Sequence, residues 1–521
     1  MAKLTYARRR CAQLLRVFAL FSLLIGAAAV CPPAFGEPVT TIRNNGDPAN
    51  RVNMVILGDG YTSAELGKYA ADAENAVTGF FAQEPFKEYQ RYFNVFRVDV
   101  VSAESGADHP EATPPITRNT AFDAAYNCDN TERLICVDVS KVNAVLANSG
   151  IGPDRQDIVL VLVNDAKYGG SGGAVAVASL DPQVIEIVLH EIGHSFGLLA
   201  DEYDYGLTPP CGYTTEPPEA NVTAQTDRAL IKWNAGGGPP TGWIDPATAI
   251  PTAFSADPGI PGLYEGAQYC ASGRFRPTYD SKMRTLGVAY EQINEEQLIK
   301  RIYNLVAPID SASPLAPNVT VAPGADQLFD VSVPTLDTQP LSISWFVDNS
   351  PVASGPSFRF SSVNVAAGLH EVQVVVRDLT PKVKYDPANV LTASRTWMVT
   401  TTRPVRQAVS IDIKPGIFPN TIHLSSTRHI PVAILSTATF DATTVDPLSV
   451  RFGPKGARAV HGRGRIVDVD GDGKKDLVLD FRVHETGIVC GQHSASLGGY
   501  TFSGTGIEGS DSIKTPGCKN K

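Results

Sequence analysis

The sequence predicts a multidomain chain: one α/β section followed by two β-rich units. Three observations carry that reading. The 521 residues exceed one ordinary core of about 100–200 residues. Residues 37–308 alternate apolar strand-like runs with helically spaced ones, and beyond residue 308 short strands separated by turns take over. Hydrophobic residues make 43% of the chain and charged residues 19%, so a disordered polar chain is excluded. The formal net charge of −10 argues against a general binder of nucleic acid or of anionic membranes.

Residues 1–36 are expected to be a signal peptide. They hold the basic run Arg8-Arg9-Arg10, an apolar stretch over residues 17–30 and the small-x-small site Ala34-Phe35-Gly36. That stretch is short of the roughly 20 residues a membrane span needs, and nothing later is apolar enough, so no integral span is expected in the mature chain. Export is the expected destination: periplasm, cell surface or medium. Residues 37–521 then carry 39 basic and 54 acidic side chains and six cysteines, Cys128, Cys136, Cys211, Cys270, Cys490 and Cys518. An even count in an exported chain predicts disulfides, and proximity favours Cys128–Cys136, Cys211–Cys270 and Cys490–Cys518. A cysteine zinc cluster lacks the close C-x-x-C spacing it would need.

Residues 37–308 form the expected first domain. Strands are predicted over 52–57, 93–101, 157–163 and 173–180, with helices over 64–81, 184–196 and 291–306. A Pro/Ser-rich linker at 307–316 opens residues 309–405, whose short alternating strands, one enclosing Trp345, predict an immunoglobulin- or PKD-like sandwich. Residues 406–521 read as a second β-rich domain.

Residues 184–203 carry the chemistry. His190 and His194 stand one helical turn apart on one face, so both imidazoles can reach one ion. Glu191 follows the first histidine, where it can take a proton from an activated water. Gly197 is expected to end the helix in a left-handed conformation. Asp201 lies seven residues past His194 with Glu202 beside it, so a carboxylate can complete three protein ligands and leave a fourth position open, as catalytic zinc requires. No G-x-S-x-G element or other nucleophile motif competes. The strand at 173–180 precedes this helix and is expected to form the cleft edge, adding substrate as a further strand.

The stretch HEIGHSFGLLADEY at residues 190–203 resembles the signature of the IgA-peptidase-like zinc metallopeptidases, relatives of the metzincins. Residues 56–62 (ILGDGYT), 104–108 (ESGAD) and 276–284 (RPTYDSKMR) extend the resemblance over about residues 40–305. It implies a metzincin-like fold for the first domain, a catalytic zinc held by His190, His194 and Asp201, Glu191 as general base, and a protein or peptide substrate. Met283 resembles the methionine of the Met-turn that packs beneath the metal. The third ligand departs from the metzincin spacing by one residue, Ala200 standing at that place, so Glu202 remains a rival to Asp201.

A second ion site is expected at the other end of the chain. Asp468, Asp470, Asp472 and Asp476 occupy loop positions 1, 3, 5 and 9, with Gly473 at 6 and the Lys474 carbonyl at 7. Oxygen donors at that spacing suit a structural calcium, although Leu479 stands where an EF-hand places glutamate. Residues 409–416, 430–437 and 508–513 resemble a module of secreted bacterial proteins. The leading expectation is therefore a secreted zinc metalloendopeptidase with two accessory domains. A surface binding protein on a degenerate peptidase scaffold and a zinc amidase acting on cell-wall amides are the alternatives; substrate specificity and oligomeric state stay open.

Overall fold

The computed structural model describes residues 37–207, 215–234, 242–402 and 406–517. The expected signal peptide, Cys211 and Cys518 lie outside the described residues. Packing divides the chain into two units, the first comprising the described residues to Ser311 together with Ser332–Ser342 and Val376–Ala393, the second the remainder.

The first unit is built on a six-stranded sheet of β1 (Val39–Arg43), β2 (Val52–Asp59), β3 (Phe93–Val98), β4 (Ile158–Val163), β5 (Gly170–Ser171) and β6 (Ala176–Ser179), ordered β1-β3-β2-β4-β6-β5. The four inner strands run parallel, and the outer two run antiparallel to their neighbours. Every residue of β2 is buried, the expected state of a parallel strand covered on both faces. Side-chain alternation sends Met54 and Ile56 to one core and Val55 and Leu57 to the other. The first core takes its helices from α1 (Leu66–Phe80), α3 (Val184–Ser195) and α4 (Gln292–Tyr303); the second takes α2 (Val139–Asn148). A three-stranded sheet of β7 (Asp204–Leu207), β9 (Tyr269–Arg276) and β8 (Tyr264–Ala267) follows the α3 helix.

Val376–Ala393 falls inside the expected sandwich in sequence, yet it packs in the first unit. Asp378 there is buried and accepts hydrogen bonds from the hydroxyls of Tyr89 at 2.6 Å and Tyr303 at 2.9 Å. The expected edge strand also needs correction. β6 is flanked on both sides, because the glycines at 169–173 let the chain fold back and pair Gly170 and Ser171 with Ala178 and Val177. The outermost strand is therefore the two-residue β5.

In the second unit, a five-stranded and a three-stranded sheet enclose Trp345, Trp397 and Phe329, with the indole rings 5.9 Å apart. Toward the C-terminus, a five-stranded and a four-stranded sheet share a core that includes Ile413, Val432, Phe452, Leu479, Phe481 and Ile507. The whole is β-rich with few helices. Among the described residues no helix is long and apolar enough to cross a membrane.

Candidate metal centre

The α3 helix is rich in β-branched residues (Val184, Ile185, Ile187, Val188), which intrinsic propensity disfavours in a helix. Tertiary packing decides instead: Ile187, Val188, Leu189 and Ile192 are buried against β6 and α1. That burial turns the opposite face, with His190 and His194, toward the cleft.

The helix stops differently from expectation. Leu198, not Gly197, takes the left-handed conformation, at φ 55°. Leu198 N–H then bonds the His194 carbonyl at 3.1 Å and Leu199 N–H the Gly193 carbonyl at 3.0 Å, so the chain reverses. The reversal turns the Leu199 carbonyl onto His194, which donates to it through Nδ1 at 2.8 Å. His190 donates in the same way through Nδ1 to the Lys282 carbonyl at 3.0 Å. With both Nδ1 atoms engaged as donors, each ring in its neutral form offers an Nε2 lone pair, and the two are directed at one point.

The two Nε2 atoms lie 3.1 Å apart, and Oδ1 of Asp201 lies 3.2 Å from each. The other carboxylate oxygen of Asp201 accepts from the Tyr269 hydroxyl at 2.6 Å, while Oδ1 is buried with no hydrogen bond of good geometry. An orphaned buried oxygen beside two lone pairs is costly without a cation. Two imidazole nitrogens and one carboxylate oxygen at this spacing suit zinc–ligand distances of about 2.0–2.2 Å, and the donor set fits the ion. Burial pushes the Asp201 carboxyl up, but the two imidazoles outweigh it and hold the group below the usual carboxylate range. Burial works against a charged His194, yet the Asp201 carboxylate raises its pKa to about 9.

Glu202 faces elsewhere. It is fully buried and accepts from Asn221 Nδ2 at 2.9 Å, Ser281 Oγ at 2.7 Å and Asn294 Nδ2 at 2.9 Å. Asn221 also pairs with both backbone groups of Ala200 at 2.9 Å, which fixes the residue preceding Asp201. Neighbouring carboxylates thus take separate tasks: one oxygen of Asp201 joins the histidines, and Glu202 ties the chain reversal to the turn at 281–285.

That turn carries Met283, which is fully buried. A Cβ on Gly193 would meet its Sδ at 2.6 Å, so only glycine lets the turn seat between the two histidines. Met283 O accepts from Glu202 N–H at 2.8 Å, and the preceding Lys282 pairs through Nζ with Glu186, one turn before His190.

Glu191 is buried beneath the edge segment, where a Cβ on Gly172 would meet its Oε2 at 3.0 Å and His194 Cβ at 2.9 Å. Burial raises its pKa, and the charges of His190 and His194 offset that in part. A cleft of about 550 Å³ runs past Glu191, His194, Asp201 and Tyr269, walled by the loop that the Cys128–Cys136 disulfide closes, with its Cα atoms 5.7 Å apart. Cys270 and Cys490 are each disulfide-bonded as well.

Of the carboxylates expected to hold a second ion, Asp468, Asp470 and Asp476 come together. Asp472 does not join them: its Oδ2 faces Lys474 Nζ at 2.5 Å. Tyr269, Asn221, Ser281, Asn294 and Arg133 also shape the first site. Sequence reasoning missed their roles, because they lie far along the chain from the histidines and carry no spacing signal; only Ser281 sits within a recognised stretch.

No curated protein matches the chain in sequence. Fibronectin(III)-like modules of CbhA from Clostridium thermocellum are 9% identical, with 40% of this chain and 97% of that chain covered and a TM-score of 0.14. A quinonprotein alcohol dehydrogenase-like protein from Bacteroides thetaiotaomicron VPI-5482 is 10% identical, with 26% and 36% covered and a TM-score of 0.15. TM-scores this low fall short of a shared fold. Residues 40–259, which span β1 to the segment before β8 and hold both histidines, Glu191 and Asp201, match the family model described as IgA Peptidase M64, so this section of the chain is similar to that family.

Proposed function

We propose that the chain is an exported zinc metalloendopeptidase, with a metzincin-like domain over residues 37–308, an immunoglobulin- or PKD-like sandwich over 309–405 and a β-rich module over 406–521. The observation that carries the reading is the convergence of two acceptor Nε2 atoms on the orphaned Oδ1 of Asp201, with Glu191 alongside. The family match supports peptide-bond hydrolysis.

His190, His194 and Asp201 would hold zinc, with Glu202 excluded from that role by its three hydrogen bonds. Bound there, zinc supplies Lewis acidity, stabilising charge on the scissile carbonyl and easing deprotonation of water. Glu191 takes the proton from the attacking water and delivers it to the leaving amine as the C–N bond breaks. Its raised pKa, with burial as the largest cause, brings its proton affinity nearer to that of the water it serves. Lys282 O and Leu199 O hold the two imidazoles in the ligating tautomer. Met283 packs against Gly193 beneath them. The Cys128–Cys136 disulfide supports an oxidising destination, and Asp468, Asp470 and Asp476 support a structural calcium.

Digestion of casein or a peptide library by the mature chain and by Glu191→Gln, with zinc content measured, tests the reading. The variant should lose about 10²–10⁴-fold in rate and keep its zinc. Equal cleavage by both proteins would refute the general base, and zinc bound without proteolysis would refute the peptidase.

A further inference from the structure

A smaller cavity of about 220 Å³ opens beside His190 and Glu191 and does not reach His194 or Asp201. Its apolar wall is Ile187 and Leu286, and two guanidinium groups, Arg133 and Arg284, line it. The volume is below the usual range of about 300–1,000 Å³ for small-molecule pockets and suits one long side chain.

The charges on this cavity are only partly cancelled, by the Arg284–Asp280 pair. Arg133 makes no ion pair among the described residues; its Nη2 donates to Tyr205 OH at 2.7 Å and Tyr203 OH at 3.2 Å, which fixes the guanidinium without neutralising it. Arg284 Nε is buried with no hydrogen-bond partner, and its Nη1 lies 3.6 Å from Asp280. Of the acids nearby, Glu191 belongs to the catalytic centre, and Glu186 is taken by Lys282 Nζ and Gly287 N–H.

We infer that this cavity is a specificity pocket for an acidic side chain, glutamate above all, on a substrate residue flanking the scissile bond. The apolar wall takes the methylene stem, and the guanidinium groups take the carboxylate with the planar, multiple-donor geometry arginine offers. The net charge of the section points the other way, since residues 37–308 hold 19 basic and 35 acidic side chains. Screening over about 8 Å at physiological ionic strength leaves the field in the cavity to the groups close to it, where two arginines face Glu191 and Asp280. The cystine loop that walls the main cleft also carries Arg133, so one segment serves both catalysis and selection.

The inference rests on the peptidase reading, and the test separates the two. Peptides that differ only by Glu, Gln, Lys or Leu at each position around the scissile bond are compared by kcat/KM with the wild-type mature chain, Arg284→Gln and Arg284→Glu. At one flanking position the wild type should favour Glu by about 10-fold or more, with a preference that shrinks as salt is raised. Arg284→Gln should bring that ratio toward one, and Arg284→Glu should favour Lys there. Cleavage of all peptides with a Glu/Gln ratio near one, or a preference for apolar residues at both flanking positions, overturns the pocket and leaves the peptidase standing. No cleavage of any peptide by the wild type overturns both. The wild-type ratios alone decide the matter if a variant does not fold.

Discussion

His190, His194 and Asp201 are each fixed from behind by a group brought in by folding: Lys282 O, Leu199 O and Tyr269 OH. Asp468, Asp470 and Asp476, the other group of donors among the described residues close enough to share an ion, fall within nine consecutive residues. There the turn binds itself: Asp468 accepts from Gly471 and Gly473 N–H at 2.7 and 2.9 Å, and Asp470 from Asp472 N–H at 3.1 Å. The first group is held converged by a folded core and keeps one oxygen orphaned; the second rests mainly on turn geometry, with only the buried Asp476 tied to a distant segment, through Ser436 N–H at 2.8 Å. Mixed nitrogen and oxygen donors suit zinc, and oxygen alone suits calcium. A site assembled by packing should therefore fail as a unit when one donor is lost, whereas a site made by a turn should change little beyond its own module.

Asp201→Ala breaks that contrast at its strongest point. It should reduce zinc content and lower peptide hydrolysis by at least 100-fold or so, a bound taken from the roughly 10–100-fold effects of residues that only orient ligands. Zinc analysis beside a kinetic assay checks both, and an active, zinc-replete variant would return the third-ligand role to another residue. Glu202→Gln probes the neighbouring carboxylate. It sets an amide against donors that need acceptors, so unfolding free energy should fall by about 1–3 kcal/mol while zinc stoichiometry holds. Denaturant titration measures the first quantity, and loss of zinc at unchanged stability would reverse the division of labour between the two acids.

Much of this site was legible in the chain because α3 carries two signals at once, helical spacing of Ile185, Val188, Leu189, Ile192 and Phe196 and the i, i+4 histidines. Asp201 and Met283 were legible only through resemblance to a family. Spacing left Asp201 and Glu202 open, because adjacent residues differ in direction, and direction here is set by Asn221, Ser281 and Asn294, up to 92 residues away. The parallel β4 announced itself as an unbroken apolar run, and β2 as one interrupted only by Asn53 between Val52 and Leu57. The edge at β5 did not, since two residues among glycines carry no periodicity. Nor could composition show that Val376–Ala393 leaves its own section to pack in the first unit, where Asp378 meets Tyr89 and Tyr303.

Calcium tests the turn-built site. With calcium at about tenfold over its Kd, the C-terminal module should gain about 1.4 kcal/mol by mass action. Asp470→Ala should abolish that gain and leave peptide hydrolysis unchanged. Calorimetry with and without chelator reads the increment. An equal gain in both proteins would place the ion elsewhere, and a loss of hydrolysis would join two sites that the structure builds separately.

The smallest effect concerns how the packed site tolerates its own geometry. Leu198 adopts φ 55° to turn the chain back, and its side chain is 52% exposed. A left-handed conformation costs a non-glycine residue about 1–2 kcal/mol, against about 0.5–1 kcal/mol of extra backbone entropy lost by glycine. Little burial is forfeited at half exposure, so Leu198→Gly should stabilise the fold by about 0.5–1 kcal/mol, the difference of those terms. The bonds that turn Leu199 O onto His194 are backbone bonds and survive the change, so zinc content should stay the same. Thermal unfolding of the two proteins decides it. A lower melting temperature would show that the Leu198 side chain, rather than the backbone reversal, secures the turn on which His194 depends.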